Sequence, residues 1–185
     1  FDRLSDEDRR FIELASPPVF NIDFAKQSNQ IIIDMGPYAT WPAPSLHDYV
    51  FTAKLKQTSA GEYNHELKVE LFAIGEELDG DNYILFDRQE SRFTPSKENG
   101  RSHRFAGKTV RLRNYVINPK DPLRRGEKYG GYLIVVIDER GKVVAHASPY
   151  KWMFGIYEKL KVFPVGRHFD KTGTRVFPPR PKRTY

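Results

Sequence analysis

The feature that most constrains the fold is a series of seven short β-type segments between residues 30 and 148. In these segments apolar and polar residues alternate, or β-branched residues form short runs, and turns rich in Gly, Pro, Asn and Asp separate them. Seven such strands predict an all-β, immunoglobulin-like antiparallel β-sandwich. The segments lie at 31–33, 49–56, 67–73, 83–86, 105–117, 132–137 and 143–147.

Two antiparallel pairs are predicted from neighbouring segments. Residues 49–56 and 67–73 both alternate with a period of two and are joined by a glycine-containing turn, which favours a hairpin. Residues 132–137 are continuously apolar, as expected of a central strand that is covered on both faces. The turn at residues 138–141 then returns the chain into the strand at 143–147.

Helices are predicted on both sides of the strands. Ser5 precedes three acidic residues, which is the pattern of an N-cap with a favourable first turn. Ser148-Pro149 predicts the start of a second, aromatic-rich helix. We expect a single domain over residues 1–185, with a helical arm at 1–18, a β-sandwich core at 28–147, a helix at 148–161 and an extended basic tail at 162–185.

Composition excludes several kinds of chemistry. A chain of 185 residues buries enough surface to fold as one domain without a disulfide or a metal. There is no cysteine, so thiolate catalysis and cysteine-based zinc sites are excluded. No two of the five histidines have the close spacing of a metal-binding pair, and the nucleophile elbow of the hydrolases is absent. We therefore predict a protein that is not an enzyme and has no metal and no cofactor.

Two motifs resemble phosphate chemistry but favour ordinary turns. Residues 170–174 read Asp-Lys-Thr-Gly-Thr, the phosphorylation motif of P-type pumps, without the parallel strand, the magnesium ligands or the membrane domain that this reaction needs. A turn with Gly173 at positive φ is the expected structure. Gly130 and Gly131 open a strand, so they predict a bulge or close backbone packing rather than a phosphate loop.

Aromatic side chains in two segments are candidates for partner contacts. The loop at residues 36–44 holds two aromatic residues between prolines, which stiffen the backbone and could display the rings to a protein or a sugar. The alternative is that the tryptophan closes an open end of the sandwich. The helix at 148–161 has the same two interpretations, core packing or subunit contact. The candidate contacts are Tyr38, Trp41, Trp152, Phe154 and Tyr157.

The net charge of +6 is concentrated in residues 88–113 and in the C-terminal tail. Phe93 and Phe105 are interleaved with these charges, as a nucleic-acid stacking platform requires. A solvated basic strand edge that discourages aggregation is the alternative that we favour. The candidate contacts for an anionic partner are Arg101, Arg104, Lys108, Arg111 and Arg113.

A family resemblance rests on four segments of residues 126–176: Gly126–Tyr132, Leu133–Ile137, Ser148–Trp152 and Phe169–Gly173. They resemble immunoglobulin-like envelope proteins of verrucomicrobial bacteria, including one at a type IV pilus locus of Akkermansia. The resemblance implies an exported β-sandwich that works in the periplasm, at the outer membrane or at the cell surface, beside a pilus apparatus. It implies protein partners, either further copies of this chain in a homo-oligomer or pilus components. It implies no catalytic residues, and a signal peptide removed before Phe1.

The sequence therefore predicts a non-catalytic cell-envelope protein that takes part in type IV pilus assembly or surface adhesion through protein–protein contacts. A glycan-binding β-sandwich that uses the aromatic loop is the first alternative. A nucleic-acid-binding module that uses residues 88–113 is the second. The longest apolar stretches are short runs such as residues 132–137, so we expect no transmembrane segment in this chain.

Overall fold

Strands dominate the computed structural model, which describes residues 5–37, 43–118 and 120–177. The described residues form nine strands, which pair antiparallel, and three short helices. In chain order the elements are α1 Asp6–Ala15, β1 Phe20–Ile31, β2 Ser45–Gln57, β3 Leu67–Glu77, β4 Tyr83–Phe93, β5 Ser102–Ala106, β6 Val110–Asn118, β7 Asp121–Ile137, β8 Val143–Ala147, α2 Lys151–Gly155, α3 Tyr157–Leu160 and β9 His168–Phe169.

The strands form two layers that share β7. Hydrogen bonds connect the strands in the order β1-β2-β6-β7-β3-β4-β9, with β5 paired to β2 and β8 paired to β7. The first part of β7 pairs with β6, whereas residues 127–137 pair with β3. We call β1, β2, β5, β6 and the start of β7 the first layer, and β3, β4, β8, β9 and the rest of β7 the second layer. The predicted antiparallel β-sandwich is confirmed.

The inner core lies between the two layers. Alternate residues of β2 in the first layer pack against alternate residues of β3 and β7 in the second. Phe51, Leu71 and Ile134 are examples, and each is at most 1% exposed. This is the packing expected of two facing sheets with a side-chain period of two.

The outer core lies on the other side of the second layer, where α2 and α3 cover it. Phe72 and Leu133 point to this side and pack with Met153 and Leu160 of the helices. The central strands are therefore buried on both faces, which explains the unbroken apolar run at residues 132–137 and confirms that prediction. The predicted hairpin between this run and 143–147 is also confirmed, by the pairing of β7 with β8.

The predicted pairing of residues 49–56 with 67–73 is wrong. These segments belong to β2 and β3, which lie in opposite layers. The place beside β2 is taken by β1, which begins at Phe20. The short strand predicted at 31–33 is wrong as well, because β1 ends at Ile31. The polar second half of β1 obscured the alternation of its first half.

Two further boundaries differ from prediction. The strand predicted at 105–117 is two strands, β5 and β6, separated by residues 107–109. In this connection the backbone N–H of Gly107 still donates to the Phe51 carbonyl of β2, whereas the backbone N–H of Lys108 donates to the carboxylate of Asp87. The helix predicted at 148–161 begins at Lys151 and is interrupted at Ile156. The described residues form nine strands, so the predicted count of about seven is too low.

Three local predictions are confirmed. The Ser5 hydroxyl accepts a hydrogen bond from the Asp8 backbone N–H at 3.1 Å, as an N-cap does. The Asp170 carboxylate accepts hydrogen bonds from the backbone N–H groups of Thr172 and Thr174, in a turn where Gly173 has φ +72°. A Cβ on Gly131 would lie 2.5 Å from Met153, so glycine permits close packing there.

Candidate interaction surfaces

Tyr38 and Trp41 lie outside the described residues. In the sequence they fall between the end of β1 and the start of β2. Their predicted role in partner or glycan contact stays a prediction.

The aromatic residues of the C-terminal helices face the second layer. Trp152 is half-buried, with its ring centroid 4.6 Å from that of Tyr83. Phe154 is also half-buried and stacks on His146 at 3.8 Å. Tyr157 is only 5% exposed. Their packing accounts for the aromatic content of these helices, and their predicted contact with a partner stays a prediction.

A buried polar network ties α3 to β3. Glu70 is 1% exposed, and its carboxylate accepts hydrogen bonds from the Tyr157 hydroxyl at 2.9 Å and the Lys68 ammonium group at 2.7 Å. Burial and the neighbouring Glu70 carboxylate raise the pKa of Tyr157, so its hydroxyl stays protonated and remains a donor. The network satisfies a carboxylate that would otherwise be costly to bury.

A second polar cluster lies where β3, β7 and β9 meet. Glu77 and Glu127 are directly opposite each other on β3 and β7, and His168 approaches the Glu77 carboxylate at 2.9 Å. Burial raises the pKa of Glu127. Within the described ranges, no group of three or more His, Asp or Glu residues is arranged to hold a metal ion.

The predicted basic segment is spread over several elements and is partly neutralised. Arg111 forms a two-pronged ion pair with Asp48, at 2.7 and 2.9 Å, and this hydrogen bonding lowers the pKa of Asp48. Arg113 lies over the ring of Tyr115. Arg92 pairs with Glu66.

The other predicted anion contacts do not form one site. Arg104 is exposed on β5, and Arg101 precedes that strand with φ +56°. Lys108 lies in the β5–β6 connection, and its backbone N–H donates a hydrogen bond to the Asp87 carboxylate of the second layer. The five predicted residues are therefore distributed over both ends of the first layer, and their predicted role stays a prediction.

Phe93 and Phe105 pack within the sandwich instead of standing among the surface charges. Phe93 is 8% exposed, and its ring stacks on His103 at 4.5 Å. The ring centroid of Phe105, which is partly buried, lies 5.7 Å from that of His103. The predicted contact of this segment with a nucleic acid stays a prediction.

The outer edge of β1 is a surface that the sequence analysis missed. Among the described residues, β1 pairs with β2 alone, and its other edge receives no backbone hydrogen bond. The residues from Lys26 to Gln30 are exposed. The alternation of Phe20, Ile22 and Phe24 with polar residues is the signal that could have identified this strand.

The described helices include none that is long and apolar enough to cross a membrane.

Comparison with known proteins yields structural likeness but no sequence match. No protein-family model matches the chain, and no curated protein sequence matches it significantly. A solved structure of a protein from Akkermansia muciniphila is similar over 80% of this chain and 79% of that chain, with 15% sequence identity and a TM-score of 0.28. A TM-score this low carries no argument about function, so the association with a pilus locus stays a prediction.

Proposed function

We propose that this protein is a non-catalytic component of a bacterial cell envelope, associated with type IV pilus assembly or surface adhesion, and that it acts through protein–protein contacts. The resemblance of residues 126–176 to envelope proteins of a pilus locus supports the pathway. The exposed edge of β1 supports the mode of contact, because an open sheet edge accepts an additional strand.

The regularity of β1 is the observation that carries the proposal. The strand has 12 residues, about twice the usual length, and its register with β2 runs without a bulge from Phe20 to Ile31. Natural edge strands are usually protected by proline, bulges or charges. The sequence of β1 has no proline. The ammonium group of Lys26 lies 4.5 Å from the centroid of the Tyr129 ring rather than at the open edge, where a charge would discourage strand pairing.

Proline substitution along β1 tests the contact. Successive backbone N–H groups of a strand point to opposite edges. Of the two variants Gln27→Pro and Ser28→Pro, one therefore removes an N–H group from the open outer edge, and the other removes an N–H group that faces β2. Both side chains are exposed, so neither change removes core packing. We expect the outward-facing proline to abolish association while the melting temperature stays near that of the unmodified protein.

The measurement combines light scattering of the purified protein over a concentration series with binding to the pilin encoded at the same locus. The neighbouring proline, which breaks the β1–β2 ladder, is the matched control and should lower the melting temperature. A strict monomer that also fails to bind the pilin contradicts the proposed contacts. A coding sequence without pilin, secretin or pilus-ATPase genes beside it contradicts the proposed pathway.

A further inference from the structure

The outer face of the first layer brings together three basic side chains, two from β2 and one from β5. Lys54 of β2 lies directly opposite Arg104 of β5, and Lys56 lies opposite Ser102 in the next row that faces the same way. All three basic side chains are exposed. On the β1 side, Asp23 lies opposite Lys54.

No described acid forms an ion pair within 4.0 Å with any of these three cations. Arg111, in contrast, is paired with Asp48 on the same face. Placing Lys54 directly across from Arg104 is unfavourable, since like charges at opposite positions of neighbouring strands repel. An anion that binds between them would relieve this repulsion.

The rest of the face identifies the chemistry of that anion. The neighbouring residues that face the same way are small or polar, and none is aromatic. Asn21, Ala25, Ser102 and Ala106 are at least partly exposed, whereas Thr52 is only 3% exposed. The aromatic residues of these strands, such as Phe24 and Phe105, point to the inner core. The described surroundings of these three cations therefore offer no ring for a nucleobase and no apolar wedge for a membrane.

We propose that this face binds an acidic polysaccharide, whose carboxylate or sulfate groups contact Lys54, Lys56 and Arg104. Two residues along a strand advance about 6.6 Å, and opposite residues of neighbouring strands are about 5 Å apart. The cations thus form a flat, two-dimensional array that suits an extended polyanion. Asn21 and Ser102 flank the array with an amide and a hydroxyl, which can bond to sugar hydroxyls. This inference does not depend on the β1 edge or on a pilus pathway.

Titration with heparin and polygalacturonate, with neutral dextran as the uncharged reference, tests the proposal. We expect both acidic polymers to bind and dextran not to bind. The double variant Lys54→Gln/Arg104→Gln should weaken binding by about tenfold and make the dependence of affinity on salt shallower. It should keep or raise the melting temperature, because it removes a like-charge pair. The matched control Lys151→Gln/Lys171→Gln changes two exposed lysines elsewhere and should stay within about twofold.

Four results would overturn the proposal. One is the absence of binding to either acidic polymer at low salt, and another is an equal loss in the control variant, which would indicate net charge alone. The third is tighter binding of single-stranded DNA than of heparin at equal ionic strength, which would assign the face to a nucleic acid. The fourth is tighter binding to vesicles of phosphatidylcholine and phosphatidylserine, which would assign it to a lipid surface.

Discussion

Replacing Tyr157 by phenylalanine removes one hydroxyl group and leaves the ring in place. The ring packs edge-on against Phe72, with centroids 6.0 Å apart, so the outer core should keep its shape. What is lost is the hydrogen bond to Glu70, a carboxylate that is 1% exposed. The Lys68 ammonium group is then its one remaining donor among the contacts described above.

The size of the effect follows from the burial of this carboxylate. A buried charged acceptor that loses one of its donors costs about 1–3 kcal/mol of unfolding free energy. In a chain of 150–250 residues, each kcal/mol lowers the melting temperature by about 2–4 °C. We therefore expect Tyr157→Phe to be clearly destabilising although no carbon atom of the core is removed.

Urea denaturation followed by tryptophan fluorescence measures this difference. Tyr150→Phe is the matched control, because Tyr150 is 51% exposed and should tolerate loss of its hydroxyl. A second variant, Glu70→Leu, removes the acceptor, and replacing both partners by apolar groups is often nearly neutral. The double variant Tyr157→Phe/Glu70→Leu should thus lose less than the sum of the single losses. A cost below about 0.5 kcal/mol for Tyr157→Phe, or strictly additive losses, would refute the role of this network.

Two further predictions concern the region around β6 and β7. Gly126 has φ +110°, and a Cβ there would lie 1.8 Å from the Arg113 carbonyl oxygen, so Gly126→Ala should lower the unfolding free energy by more than about 3 kcal/mol. Gly141 has φ +81° in open space, so Gly141→Ala should lower it by about 1 kcal/mol. Equal losses of stability for the two variants in thermal unfolding would contradict this prediction. Because burial raises the pKa of Glu127 in the folded state, its contribution favours folding at low pH and is lost as the pH rises through that pKa. Glu127→Gln should accordingly match or exceed the parent stability at neutral pH and lose that advantage on acidification, as urea titrations at several pH values can measure.

The parts of the fold that the sequence predicted are those that depend on neighbouring residues. The hairpin of β7 and β8, the N-cap at Ser5 and the turn at residues 170–174 each follow from a few adjacent side chains and their backbone preferences. The apolar run at residues 132–137 also indicated correctly that a strand there is covered on both faces. Periodicity and turn chemistry act over a few residues, so one sequence is enough to read them.

Only the tertiary structure decided which strands lie side by side. Residues 49–56 and 67–73 have the periodicity of a hairpin, yet they lie in opposite layers because β1 pairs with β2 and β7 pairs with β3. The candidate surfaces arise in the same way. Lys54 meets Arg104, and Glu70 meets Tyr157, through pairings between distant parts of the chain. Such contacts depend on how the whole core packs, and no local pattern of residues encodes them.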